Sequence, residues 1–159
     1  MARQPRREWE LEFTTEWMTR TYSDAEWQTN VQLGPIQPRN ELGQFTQGEL
    51  TMLGVWRRRI DALVYLPDRL VMIEAVMRSN PGKLAILELY RRLIPQTPEL
   101  AKFWDFDVDL VLLYVIRDPI VNEIARERNI IPIQYVPVWF LDWFKSLLPR
   151  QRQTSQSAF

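Results

Sequence analysis

The sequence predicts an α/β (α+β) fold, with a mixed central β-sheet flanked by helices. Three observations predict it. One helix-like segment is followed by three strand-like segments in a row. Strand and helix then alternate to the end. Two of the strand-like segments, "LVMIEAVM" and "VDLVLLYVI", are apolar almost throughout. Alternating strands and helices build a layered sheet with crossover helices, and a strand apolar on both faces belongs in its centre.

Residues 1–13 read as a polar N-terminal arm, residues 14–148 as a single domain and residues 149–159 as a polar tail with no core-forming pattern. A short helix is expected from Thr14 to Tyr22, with Trp17 and Met18 as its apolar contacts. "AEWQTNVQL" alternates, with Trp27, Thr29, Val31 and Leu33 on one face and Gln28, Asn30 and Gln32 on the other. The Gly/Pro/Asn/Gln-rich stretch "GPIQPRNELGQFTQGEL" reads as a long loop, of the kind that is often functional or ordered by a partner. "VWRRRIDALVYL" is the second strand: Trp56, Ile60, Ala62, Val64 and Leu66 share one face, and Arg57, Arg59, Asp61, Leu63 and Tyr65 the other. "PDR" turns the chain into the third strand. "SNPG" breaks it and offers Ser79 as a helix cap before "KLAILELYRRLI". After a Pro-interrupted connector and the fourth strand, "PIVNEIARERN" is a short helix opened by Pro119 and closed by Asn129. "IIPIQYVPVWF" reads as an edge strand, because proline cannot donate to a ladder, and "FLDWFKSLL" as a closing helix.

Composition excludes whole classes of chemistry. The 159 residues contain no cysteine and no histidine, so thiolate sites, Ser–His–Asp and Cys–His catalysis are ruled out in their standard forms. An enzyme with this composition works through carboxylates, Lys or Arg, and a hard cation bound by oxygen. Lys+Arg and Asp+Glu are both 20, so bulk charge gives no attraction to nucleic acid or to an anionic membrane. Any DNA contact falls to a local arginine patch, and no segment reads as a membrane span.

Within this frame two residues stand out. Asp61 and Glu74 each place a carboxylate in the middle of an apolar strand, where a charge is costly unless paired or metal-bound. For Asp61 the plain alternative is an ion pair with Arg57 or Arg59, and for Glu74 one with Arg78 or Arg59. Arg57, Arg59 and Arg78 are in turn the candidate phosphate contacts. Of the seven tryptophans most belong in the core, while Trp9 and Trp143 are the candidates for packing on a partner protein.

The order helix–three strands–helix–strand, with Asp61 in the second strand and Glu74 in the third, resembles the PD-(D/E)xK nuclease-like superfamily and its αβββαβ, restriction-endonuclease-like core. The resemblance covers residues 14 to about 116. It implies that Asp61 and Glu74 bind Mg²⁺ against a phosphate, and that a lysine two residues after the glutamate helps orient and activate water. It also implies an acid on the first helix, for which Glu16 is the candidate. The sequence departs from the pattern at two places. Val76 stands where the lysine is expected, and Ile86 stands four residues before Tyr90, where the superfamily often carries glutamine. Lys83, at the start of the next helix, is the replacement the resemblance allows.

The reading that follows is a non-catalytic structural or binding component with a nuclease-like fold and no cofactor, ordered among other protein subunits in a large assembly. A phage particle near its head–tail junction or portal is the first guess, which places the protein in a virion or else in the cytoplasm. The alternative is a Mg²⁺-dependent DNA endonuclease using Asp61, Glu74 and Lys83. A small regulatory protein-binding module is the second alternative.

Overall fold

The computed structural model describes residues 6–35, 43, 46–49 and 57–147. Most of the expected long loop and the whole polar tail lie outside the described residues. Helix α1 (Arg6–Thr21) leads into β1 (Glu26–Leu33), β2 (Arg58–Tyr65) and β3 (Arg69–Arg78). Helix α2 (Pro81–Leu93) and two short 3₁₀ segments, Ile94–Gln96 and Pro98–Phe103, connect β3 to β4 (Asp107–Ile116). Helix α3 (Pro119–Glu127), β5 (Ile130–Gln134) and α4 (Val138–Leu147) complete the chain. The sheet is five-stranded in the order β1-β2-β3-β4-β5. Its first three strands are antiparallel, and β3, β4 and β5 run parallel. This is the mixed sheet and the αβββαβ order that the sequence predicts.

Two apolar layers hold it together. On one face Leu84, Leu87 and Tyr90 of α2 and Val121 and Ala125 of α3 pack on Leu70, Met72, Leu110 and Leu112. On the other, Trp9, Phe13, Trp17 and Met18 of α1 and Phe140 of α4 pack on Val71, Ile73, Ala75, Val111 and Leu113. Burial of β3 and β4 from both sides explains why their sequences do not alternate.

Several local expectations are corrected. Helix α1 begins at Arg6, so the last part of the expected arm is helical and carries core residues: the spacing Trp9, Phe13, Trp17 is that of a buried helix stripe. Asn80, and not Ser79, caps α2: its side chain accepts the Lys83 N–H at 3.1 Å. The Ser79 hydroxyl accepts the Asp118 N–H instead, at 2.8 Å. The edge strand stops at Gln134, and Val138, Trp139 and Phe140 open a helix.

The correction that matters most for the site concerns the first two strands. Trp27 packs on the α1 face, yet Val31 and Leu33 pack on the α2 face. Ile60 likewise packs on the α2 face, whereas Ala62 and Val64 pack on the α1 face. Simple alternation allows neither. The cause is Asn30, which has φ +54° and stands opposite Asp61 in the register between Thr29↔Ala62 and Val31↔Ile60. A residue in the left-handed region turns the pleat over, and Asn tolerates that region better than other side chains do. Replacing Asn30 by Val is therefore expected to destabilise the fold by roughly 1–2 kcal/mol, while Asn30→Gly stays within a few tenths of wild type. Urea denaturation of the two variants checks this.

Candidate active site

Strands β2 and β3 part company at Asp61. Their pairing runs from Tyr65↔Leu70 to Ala62↔Ile73, while β3 stays in register with β4 as far as Arg78↔Ile116. In the resulting fork, side chains replace backbone partners. The Asp61 carboxylate accepts the Ala75 N–H at 2.8 Å through Oδ2. The Asp61 N–H in turn points at Glu74 Oε1, 3.4 Å away. Glu74 lies on the α2 face with Leu70 and Met72 and is only 2% exposed. From the first turn of α2, Lys83 sends its ammonium group to Glu74 Oε2 at 2.6 Å. Asp61, Glu74 and Lys83 are thus brought together, with the ammonium group reaching Glu74 from the helix.

Electrostatics follow from this crowding. Burial, reinforced by the neighbouring Asp61 charge, raises the Glu74 pKa to about 7, against the opposing pull of Lys83. Burial works against the Lys83 ammonium, but Glu74, Asp61 and Glu10 outweigh it and raise its pKa. Lys83 is therefore a fixed positive charge and not a proton acceptor at neutral pH. Tyr90, one helix face further along α2, is raised by burial and by Glu74, and it feels the positive charges of Lys83 and Arg58.

Other expected site residues lie elsewhere or are occupied. Arg57 is spent on structure: its guanidinium grips both Glu99 oxygens at 2.6 and 2.9 Å and donates to the Gly34 carbonyl at 2.8 Å. Arg59 is exposed, but the inverted pleat gives the α2 face to Arg58 instead. Arg78 pairs with Asp118 at 3.5 Å, four residues beyond Glu74. Glu16 is engaged with other side chains. It accepts hydrogen bonds from Tyr135 Oη and Trp139 Nε1 and pairs with Arg20, and the Tyr135 bond foremost lowers its pKa. Trp9 is buried at 7% exposure, with Trp143 packed against it at 5.8 Å between ring centroids, so these two rings face each other within the chain. Two residues near the site escape a reading of the sequence. Glu10 falls in the expected arm, and Arg58 has no place among the candidate arginines. The four-residue spacing of Trp9, Phe13 and Trp17 was the signal for the first; nothing short of the Asn30 conformation reveals the second.

No protein-family model matches the chain, and no curated protein does so either. Two solved structures are similar in fold. The protein of unknown function AF1548 is 14% identical, with a TM-score of 0.50 over 87% of this chain and 68% of its own. A repair endonuclease from Pyrococcus abyssi is 8% identical, with a TM-score of 0.47 over 86% of this chain; the likeness spans 50% of that protein's length. The first likeness speaks to the fold alone, and the second is too distant to carry weight.

The donor set at Asp61 and Glu74 can be tested against a metal ion. No group of three or more His, Cys, Asp or Glu side chains among the described residues is arranged to hold one. Mg²⁺ does not need such a cage. It is commonly bound by one or two carboxylates, with water and substrate phosphates completing the shell. Two carboxylates stand here against one ammonium, and the Glu74 pKa is raised first by burial and then by the Asp61 charge. The residues fit a hard divalent cation that arrives with a phosphate. Among the described residues, no helix is long and apolar enough to cross a membrane.

Proposed function

We propose that the chain is a Mg²⁺-dependent phosphodiesterase of the PD-(D/E)xK nuclease-like type, acting on a nucleic-acid backbone. The observation that carries this reading is the 2.6 Å contact from Lys83 to Glu74 beside Asp61. The strand order supports it, as does the placement of both acids in one fork of the sheet. Asp61 and Glu74 would hold the cation, which would polarise the phosphate and lower the pKa of a bound water. Lys83 remains protonated, orients the attacking water and offsets charge that builds on the phosphate. Tyr90 and the surrounding apolar wall limit access of bulk water to the Glu74 carboxylate.

The test uses plasmid and end-labelled oligonucleotide DNA with Mg²⁺ or Mn²⁺. Wild type is expected to cut, and Glu74→Ala is expected to abolish cutting. Absence of cutting by the wild type with either ion defeats the reading.

One observation favours a second reading, that of a non-catalytic component in a larger assembly. Both Glu74 oxygens and Asp61 Oδ2 already have partners within the chain. On that reading the cluster is a structural remnant and its partners are other protein subunits. A virion component at a head–tail junction would be one instance, and no residue favours it over other assemblies.

A further inference from the structure

We infer that Arg58 is a substrate-positioning residue that holds a backbone phosphate adjacent to the one addressed by Asp61, Glu74 and Lys83. The inference rests on the nuclease reading and deepens it by naming how the polyanion is gripped.

Three observations carry it. First, Arg58 lies opposite Leu33 in the sheet register, and Leu33 and Ile60 both pack on the α2 face. The inversion at Asn30 therefore delivers Arg58, and not Arg57 or Arg59, to the face on which Glu74 and Lys83 meet. Its charge is felt by the Tyr90 hydroxyl together with those of Glu74, Lys83 and Asp61. Second, Arg58 is exposed, and no acidic side chain among the described residues pairs with it. Of the other arginines on the sheet, Arg57 is engaged with Glu99, Arg69 with Asp68 and Asp109, and Arg78 with Asp118, while Arg59 is exposed but lies on the opposite face from Arg58. An exposed guanidinium that stands beside an acidic cluster yet pairs with none of it is available for an incoming anion. Third, Arg58 is three residues from Asp61, about 10 Å along the strand. That separation sets Arg58 apart from the acids, within reach of another phosphate of the same backbone. The guanidinium fork suits a phosphate bidentately, which a lysine would not reproduce.

The experiment measures binding and turnover separately. Fluorescence anisotropy of a labelled duplex oligonucleotide is followed across a salt series without divalent ions, for wild type, Arg58→Gln, Arg58→Lys and Arg59→Gln. Each lost phosphate contact reduces the slope of log K against log salt by about 0.9 for duplex DNA. Arg58→Gln is expected to weaken binding about 5–10-fold and to reduce the slope by about 1. Arg58→Lys is expected to recover the slope but not the full affinity. Arg59→Gln leaves both near wild type. With Mg²⁺ present, Arg58→Gln raises KM more than it lowers kcat, because a grip on a remote phosphate is equal in ground and transition states. An unchanged slope in Arg58→Gln, or an equal effect from Arg59→Gln, overturns the inference while leaving the nuclease reading intact. Wild type that binds through Arg58 but never cuts defeats the nuclease reading alone. Wild type that binds no duplex at low salt overturns the inference, and the cleavage assay decides the nuclease reading by itself.

Discussion

Lys83→Met is expected to destabilise the protein by about 3 kcal/mol at pH 8.5 but by only about 1 kcal/mol at pH 5. The larger figure is the usual effect of removing one partner from a buried ion pair, because it strands the other charge. The smaller one follows from the titration of Glu74. Its pKa is about 7, so at pH 5 the folded protein already carries it as a neutral acid. What Lys83 contributes there is one hydrogen bond and some packing. At pH 8.5 the carboxylate is ionised, 2% exposed and next to Asp61, and nothing but Lys83 among its bonded partners carries a positive charge. The same variant is expected to lose at least about 100-fold in kcat, the usual effect of removing one pre-placed charge or donor at a reacting centre. Lys83→Arg restores the charge but not the compact ammonium geometry, so it recovers stability better than activity. Denaturant titrations at the two pH values and a single-turnover cleavage assay decide the matter. Equal destabilisation at both pH values would show that Lys83 does not compensate an ionised Glu74.

The nature of that pair also explains what could and could not be read from the sequence. The element order, the central placement of β3 and β4 and the location of both acids are legible because they rest on hydrophobic patterning, which is local and strong. The convergence of Asp61 and Glu74 follows from strand adjacency. The contact of Lys83 with Glu74 is only half legible: a lysine at the head of α2 is visible, but its reach depends on the tight Asn80 cap that sets the helix start. Face assignments on β1 and β2 failed because one residue, Asn30, leaves the β region and reverses the alternation on which they rest. Of the candidate arginines, Arg57 pairs with Glu99 and Arg78 with Asp118, and Glu99, 42 residues away, cannot be foreseen as a partner from the sequence. The distance in sequence between Trp9 and Trp143 conceals that their rings pack against one another within the chain.

These failures share a cause, which is that long-range polar and aromatic pairings leave no periodic trace. Apolar residues announce their face by spacing. A salt bridge or a ring contact between distant segments announces nothing until the sheet order is known. The site itself belongs to both categories. Its carboxylates are conspicuous because they interrupt apolar runs, whereas the groups that tune them, Glu10 and Arg58, sit in polar stretches where any charge would pass unnoticed.

Glu74 is also expected to impress its own pH dependence on the fold. Its folded pKa, about 7, lies above its ordinary value of 4.5. Between these two values the folded state holds a proton that the unfolded chain has released, so stability declines as pH rises through this window. A shift of this size corresponds to about 3 kcal/mol, present in full below pH 4.5 and gone above pH 7. Lys83 acts in the same sense much further up, since its raised pKa stabilises the fold until the ammonium deprotonates above 10.5. Glu16, Glu99 and Asp68 act in the opposite sense, because their lowered pKa values favour the fold only above the normal carboxylate range and are lost in acid. Those three are largely solvent-screened and shape only the acid limb. Stability should therefore peak near pH 5 and fall toward neutrality. Glu74→Gln cannot ionise, and its single amide oxygen accepts from Lys83 or from the Asp61 N–H but not from both. It is expected to flatten the curve between pH 4.5 and 7 and to exceed wild type at pH 8 by about 1 kcal/mol, the gain being limited by the donor left facing the amide nitrogen. A wild-type curve that is level across this window, or one that coincides with that of Glu74→Gln, would mean that the carboxyl is ionised throughout. Millimolar Mg²⁺ separates the remaining possibilities. An ion held by Asp61 and Glu74 raises the wild-type melting temperature at pH 8 and removes most of the decline, because it binds the ionised folded state alone. It leaves Glu74→Gln nearly unaffected, since one of its two charged ligands is gone.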